Sequence, residues 1–328
     1  MNYQADEKRY EKMKYRRCGQ SGLMLPLISL GLWHNFGEIT PEETKRQILR
    51  AAFDCGITYF DLADNYGPPY GAAEQSFGKL FREDFSAYRD EILIATKAGY
   101  DMWPGPYGDR GSRKHLLAGI DQSLRRMGLE YVDIFYHHRP DPDTPMEETA
   151  DALAQIVRQG KALYIGISNY DAGQTEKMTA LLKERHVPFV LHQPSYSMLN
   201  RWIEDGLDIL LQREGIGCVV FKPLEQGLLT GKYLNGIPED SRMKRDARFL
   251  KEDSITPKLL EKIQSLAAIA AERGQSLAQM AIAWVLGNPC VTSALIGASR
   301  PSQIYENVRA LEHLDFTEQE KQKIREIL

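Results

Sequence analysis

Four positions in the first half of the chain carry side chains of the types and spacing that an acid–base site needs: Asp61, Tyr66, Lys97 and the pair His137-His138, each where a strand-like run gives way to a loop. Taken singly, each has an ordinary explanation. A strand-end Asp caps loops, a loop Tyr packs at the surface, and a strand Lys snorkels outward. Taken together they form a coherent set. A buried Lys97 needs a carboxylate, and Asp61 is the obvious one. A phenol titrates at about 10, too high for easy proton donation at neutral pH. A neighbouring ammonium favours the phenolate, so Lys97 is expected to bring Tyr66 toward useful acidity. A histidine beside the phenol could orient a carbonyl oxygen. Carbonyl reduction needs these parts: one acid, a polarising neighbour and a hydride source. The spacing of Cys, His and carboxylates suggests no metal centre. His137 and His138 are adjacent, so on a strand they face opposite sides.

The elements that must position these groups alternate along the chain. Short apolar runs at 28–31, 57–61, 92–97, 132–137, 162–167, 189–192, 217–221 and 293–296 read as strands. Helical patterns fall at 41–55, 73–81, 113–127, 146–159, 172–185, 205–212 and 303–311. Thr40 and Glu43 suggest a capping box with Pro41 at the first helical position, and Gly56, Gly128 and Gly160 stand where helices should end. One helix between successive strands implies parallel pairing. Most strand starts are spaced by roughly thirty to forty residues. That rhythm predicts one α/β domain spanning 1–328, a (β/α)₈ TIM barrel, rather than an open doubly wound sheet. No G-x-G-x-x-G follows the first strand, which argues against the open sheet. Segments 15–20 and 23–28 flank Ser21-Gly22 as an N-terminal β-hairpin fit to plug the barrel's bottom. Two long stretches, 98–112 and 222–256, follow strands and so belong at the C-terminal face, where barrels keep their active sites.

Composition is that of a folded globular chain: 328 residues, 43% hydrophobic, 26% charged, net charge -4. With no basic run, a nucleic-acid or membrane-surface partner is not expected. No apolar stretch is long enough to span a bilayer and the start does not read as a secretory signal, so the expectation is cytoplasmic. Cys18, Cys55, Cys218 and Cys290 are scattered, which argues against a disulfide framework.

The four segments resemble, in order, those of the aldo-keto reductase superfamily. Asp61 sits in Ile57-Thr58-Tyr59-Phe60-Asp61, Tyr66 in Asn65-Tyr66-Gly67, and Lys97 in Ile94-Ala95-Thr96-Lys97. The histidine lies in Tyr131-Val132-Asp133-Ile134-Phe135-Tyr136-His137-His138-Arg139, and matching from Tyr131 puts the family's histidine on His138. His137 is then expected against the helical layer. Gly67-Pro68-Pro69-Tyr70-Gly71, Arg139-Pro140-Asp141-Pro142 and Gly231-Lys232-Tyr233 are similar to the subgroup containing potassium channel β-subunits and bacterial L-glyceraldehyde 3-phosphate reductases. The channel subunits carry asparagine at the position of His138, so the histidine favours turnover over a purely redox-sensing role, the alternative reading.

The resemblance implies an NADP(H)-dependent reductase of small aldehydes, with L-glyceraldehyde 3-phosphate or methylglyoxal as candidate substrates, and a homo-oligomer, commonly tetrameric or octameric. It assigns Tyr66, Asp61, Lys97 and His138 to catalysis. Ser168, Asn169 and Gln193 would hold the nicotinamide amide, and Phe221 would stack on its face. Pro223, Leu224, Gly227, Lys232 and Arg242 would line the pyrophosphate and 2′-phosphate path; Lys222 departs from the small hydroxyl residue usual at its position, and could reach the pyrophosphate or narrow the pocket. Gly297, Ser299, Gln303, Glu306 and Asn307 would take the adenosine end; Gln303 and Asn307 share a helical face. Trp33 and Trp103, with His34, Tyr100 and Tyr107, would roof the substrate pocket beside Tyr66 and His138, with Arg139 and Lys222 as candidates for a substrate phosphate.

Overall fold

The computed structural model describes residues 3–234, 236 and 255–328. A two-stranded antiparallel hairpin, β1 (Tyr15–Arg17) and β2 (Met24–Pro26), precedes the barrel. Eight parallel strands follow: β3 (Ile28–Gly31), β4 (Tyr59–Asp61), β5 (Leu93–Ala98), β6 (Val132–His137), β7 (Ala162–Ser168), β8 (Phe189–Gln193), β9 (Gly217–Phe221) and β10 (Val291–Ile296). They pair in chain order, and β10 closes back onto β3. This is the expected (β/α)₈ architecture. The helices are α1 (Glu42–Asp54), α2 (Ala72–Leu80), α3 (Arg113–Met127), α4 (Met146–Arg158), α5 (Ala172–Glu184), α6 (Leu207–Glu214), α7 (Pro257–Glu272), α8 (Leu277–Leu286), α9 (Pro301–Val308) and α10 (Glu318–Ile327). Among the described residues, no helix is long and apolar enough to cross a membrane.

Side-chain alternation divides the strands between two cores. Phe60, Ile94, Phe135 and Ile167 pack outward against the helices, while Tyr59, Ala95, Ile134, Tyr136 and Val219 fill the barrel. The hairpin closes the bottom: Cys18 and Leu25 are fully buried with that interior set. Gln20 N–H reaches Gly215 O at 2.8 Å, and a Cβ on Gly19 would lie 2.0 Å from the same oxygen, so the approach requires glycine. At mid-barrel, Gly166 makes room for Tyr136, whose ring an added Cβ would meet at 2.3 Å.

Local signals mostly hold. Ser112 caps α3 by accepting from His115 N–H, and Gly128 ends that helix in the left-handed region. The capping box expected at Thr40 and Glu43 does not form. Pro41 itself is the N-cap with ψ 139°, α1 begins at Glu42, and no side chain caps it. The start is displaced by one residue, which takes Thr40 out of register; Glu42 and Glu43 instead face the positive end of the helix dipole. Three helices, α7, α8 and α10, were not among those expected.

Candidate active site

Period-two alternation brings the chemistry together at the C-terminal end of β4, β5 and β6. Tyr59 and Asp61 point inward from β4, as do Ala95 and Lys97 from β5, and the residue pairs Asp61–Ala95 and Lys97–Tyr136 are in register. Lys97, fully buried, donates to Asp61, to Leu62 O at 2.7 Å and to Tyr66 Oη at 3.3 Å. Its ammonium also lies 4.9 Å from the Tyr66 ring centre. Asp61 accepts further from Gln193 Nε2 at 2.8 Å and from Tyr59 Oη at 3.3 Å, and Tyr59 meets Tyr136 Oη at 2.8 Å. The His138 ring stands 5.9 Å from that of Tyr66. All four residues expected to do the chemistry therefore converge.

Burial sets their charge states. It pushes Tyr66 well above its ordinary range, with Asp61 and then Tyr100 adding to the effect. The expected lowering by Lys97 does not prevail: lost hydration around the phenolate, with Asp61 and Tyr100 close by, raises the phenol, and the ammonium is already bonded to Asp61. The phenol thus rests protonated, and since its oxygen accepts from Lys97, its O–H is left for another acceptor. Burial also pushes Lys97 down, opposed by Asp61, and holds His138 well below the usual imidazole range, with Lys97 contributing. His138 is a neutral ring. His137 packs outward as expected, its Nδ1 2.6 Å from Tyr170 Oη.

A buried Lys–Asp pair set against a protonated phenol, beside a neutral imidazole, has the parts that protonating a carbonyl oxygen during reduction needs. The sequence pattern of the Aldo/keto reductase family matches residues 27–328. The chain belongs to that family. The L-glyceraldehyde 3-phosphate reductase of Escherichia coli (strain K12) is 60% identical over 330 aligned positions, covering 99% of this chain and 95% of that protein. A probable voltage-gated potassium channel subunit beta of Arabidopsis thaliana is 40% identical over 306 positions, 92% of each chain. A putative subunit of the same kind from Schizosaccharomyces pombe is 38% identical, covering 97% of this chain and 94% of that one.

In this aldo/keto reductase the polar strand ends expected at a nicotinamide are adjacent to the tetrad. Ser168 Oγ donates to Gln193 O at 2.7 Å, and Asn169, at φ 62°, sends Nδ2 to Ser168 Oγ and His138 O, both at 3.1 Å. An amide held through its nitrogen turns its oxygen the other way, where a carboxamide N–H could meet it. Phe221 ends β9 half-buried, with Lys222 Nζ 5.7 Å from its ring centre. Pro223 is buried, Leu224 packs in the core, and Gly227 has φ 99°. Lys232 is exposed. Arg242 lies outside the described residues. After β10, Gly297 is open, since a Cβ there would meet nothing within 4 Å. Ser299 N–H donates to Gln303 Oε1 at 2.8 Å; Glu306 is exposed and Asn307 buried. Convergent amide-binding groups beside Asp61, open backbone at Gly297 and a polar α9 start suit a long dinucleotide.

The residues expected to roof the pocket make contacts of their own. Trp33 lies 6.2 Å from the Tyr66 ring and stacks on His34 at 3.9 Å. Tyr100 meets His138 edge-on at 4.6 Å, and Tyr107 is exposed. Trp103 packs against His115 of α3 at 4.9 Å, which ties its loop to that helix. Arg139, considered for a substrate phosphate, is bonded to Asp109 at 2.6 Å and to Gly99 O at 2.9 Å. Sequence reasoning missed Tyr59 and Tyr136, which two-residue steps back from Asp61 and His138 would have found. It also missed Asp64, wholly buried, whose carboxylate oxygens have no hydrogen-bond partner among the described residues; burial and then Glu74 hold it well above the usual carboxylate range.

Proposed function

We propose that this aldo/keto reductase uses NADPH to reduce small aldehydes to alcohols, with L-glyceraldehyde 3-phosphate, giving glycerol 3-phosphate, as the leading substrate and methylglyoxal as a second. The observation that carries the reading is Lys97, itself fully buried, donating at once to Asp61 and to Tyr66 Oη, with the His138 ring 5.9 Å from that of Tyr66. The name of the Escherichia coli relative supports the choice of substrate.

NADPH, when bound, supplies the hydride that the carbonyl carbon accepts. Tyr66 gives its phenolic proton to the carbonyl oxygen, and the Lys97 ammonium stabilises the phenolate left behind. Asp61 keeps that ammonium charged and fixed. The neutral His138 orients the carbonyl oxygen toward Tyr66, and water returns the phenol's proton as the product leaves. Ser168, Asn169 and Gln193 would hold the nicotinamide amide, Phe221 its face, and Lys222 through Gly227 with Lys232 and Arg242 the phosphates. Gly297, Ser299, Gln303, Glu306 and Asn307 would receive the adenosine end. Trp33 and Trp103 would border the substrate. The same reading treats 1–328 as one domain of a cytoplasmic homo-oligomer, which size-exclusion chromatography with light scattering would test.

Steady-state oxidation of NADPH, with NADH in parallel, against L-glyceraldehyde 3-phosphate, methylglyoxal and an aromatic aldehyde tests the reading. Highest kcat/KM with the phosphorylated aldehyde supports it. Turnover of the other aldehydes alone removes the named substrate, and tight NADPH binding without turnover moves the protein to redox sensing.

A further inference from the structure

The Nδ1 atom of His138 is buried and has no hydrogen-bond partner among the described residues. Functional histidines are ordinarily aimed by a hydrogen bond on the second ring nitrogen. Here packing must do that work. The nearest aromatic neighbour is Tyr100, 4.6 Å between centroids and 85° between planes, an edge-to-face contact that the ring quadrupoles favour. Tyr66 is farther, at 5.9 Å and 70°.

Tyr100 stands on a loop that leaves β5 through Gly99, whose φ is 142°. The loop does not hold the ring by itself; Arg139 does. Its guanidinium carbon lies 4.2 Å from the centre of the Tyr100 ring, Nε donates to Gly99 O at 2.9 Å, and a terminal nitrogen donates to Asp109 at 2.6 Å. The far end of the loop is tied by Gly111 N–H to Asp141 at 2.8 Å. Arg139 follows His138 in the chain, so the group that fixes Tyr100 and the ring that Tyr100 fixes share one backbone segment. A Cβ on Gly99 would come within 3.3 Å of His138 and 3.2 Å of the His137 ring, so the loop's exit is closely fitted to the histidine pair.

We propose that Tyr100, clamped by Arg139 and Asp109, is the positioning residue that sets the angle of the His138 ring. The proposal rests on the reductase reading for its effect on turnover but not for the clamp itself. Three variants test it: Tyr100→Ala, Tyr100→Phe and Arg139→Met. With methylglyoxal as substrate, Tyr100→Ala is expected to lower kcat about 10- to 100-fold, the range that ångström-scale misplacement produces, while NADPH affinity stays within about twofold. Tyr100→Phe keeps the ring edge and restores most of the rate, and Arg139→Met falls between them. Parental kcat in Tyr100→Ala overturns the proposal. So does a Tyr100→Phe variant as impaired as the alanine, because the hydroxyl would then be acting directly.

A second measurement is independent of turnover. In ¹H–¹³C spectra of the histidine-labelled protein, the His138 ring signal is assigned by its loss in His138→Asn. Tyr100→Ala should shift and broaden that signal, and Tyr100→Phe should leave it in place. An unmoved signal in Tyr100→Ala overturns the clamp. A parental protein that turns over no aldehyde yet shows the expected shift would sink the reductase reading and leave the clamp standing.

Discussion

The two halves of the barrel's C-terminal face are built differently. Around β4, β5 and β6, Asp61 and Lys97 are 0% exposed and His138 8%, and the first two are bonded to each other. Around β9, β10 and α9, Lys232, Gly297, Ser299 and Glu306 are exposed, and Lys222, Glu225 and Gln226 take positive φ values of 56°, 43° and 55°. One half is closed and electrostatically settled before any ligand arrives. The other offers open backbone and short polar side chains. The difference teaches that the groups proposed for proton transfer are held in place in advance, so the Lys97 ammonium need not reorient to meet a phenolate at Tyr66, whereas the surface proposed for the cofactor keeps open backbone.

Substitutions should separate the halves by the kind of damage they do. The largest effect is expected at Lys97→Met, which leaves Asp61 buried without its ion-pair partner. Unfolding free energy should fall by about 3–5 kcal/mol, read by denaturant titration, together with loss of most aldehyde reduction. An activity loss without destabilisation would show that the closed half is less settled than the geometry implies. Gly166→Ala comes next, because its Cβ would press on the Tyr136 ring at 2.3 Å. A cost of about 1–3 kcal/mol is expected in the same titration. On the open half, Gln303→Ala should raise the NADPH dissociation constant about three- to tenfold, the worth of an ordinary hydrogen bond, with stability unchanged. A stability loss matching that of Gly166→Ala would erase the contrast.

The smallest effect is on pH dependence. Burial, reinforced by Lys97, holds His138 well below the usual imidazole range, so the ring stays neutral as pH falls, and kcat should stay flat from about pH 8 to 6. Burial also lowers Lys97, so on the alkaline side the ammonium deprotonates before the still higher Tyr66 phenol, and kcat should fall with rising pH. A rise in kcat through the alkaline range would contradict both assignments.

Much of this was legible in the sequence where one physical signal dominates. β6 and α3 fall at the bounds that the apolar run at 132–137, the helical pattern at 113–127 and the terminator Gly128 predict. Reading failed where periodicity fades: nine of the ten residues of α8 are buried, so no polar face marks it as a helix, although Ser276 and Gln279 form a capping box that announces its start. Thr317 with Glu320 likewise announces α10. Asp61, Tyr66, Lys97 and His138 were legible because strand ends must gather at one barrel face. What sequence could not supply was the rise that burial and Asp61 impose on the Tyr66 phenol, or the capture of Arg139 by Asp109 across thirty residues.

The central claim is that Tyr66 delivers the proton, and Tyr66→Phe tests it most directly. The phenyl ring keeps the packing and removes only the hydroxyl. Single-turnover oxidation of bound NADPH by methylglyoxal should slow by about 10²–10⁴-fold, while the NADPH dissociation constant and the unfolding midpoint stay close to parental. Hydride transfer at the parental rate in that variant would contradict the account.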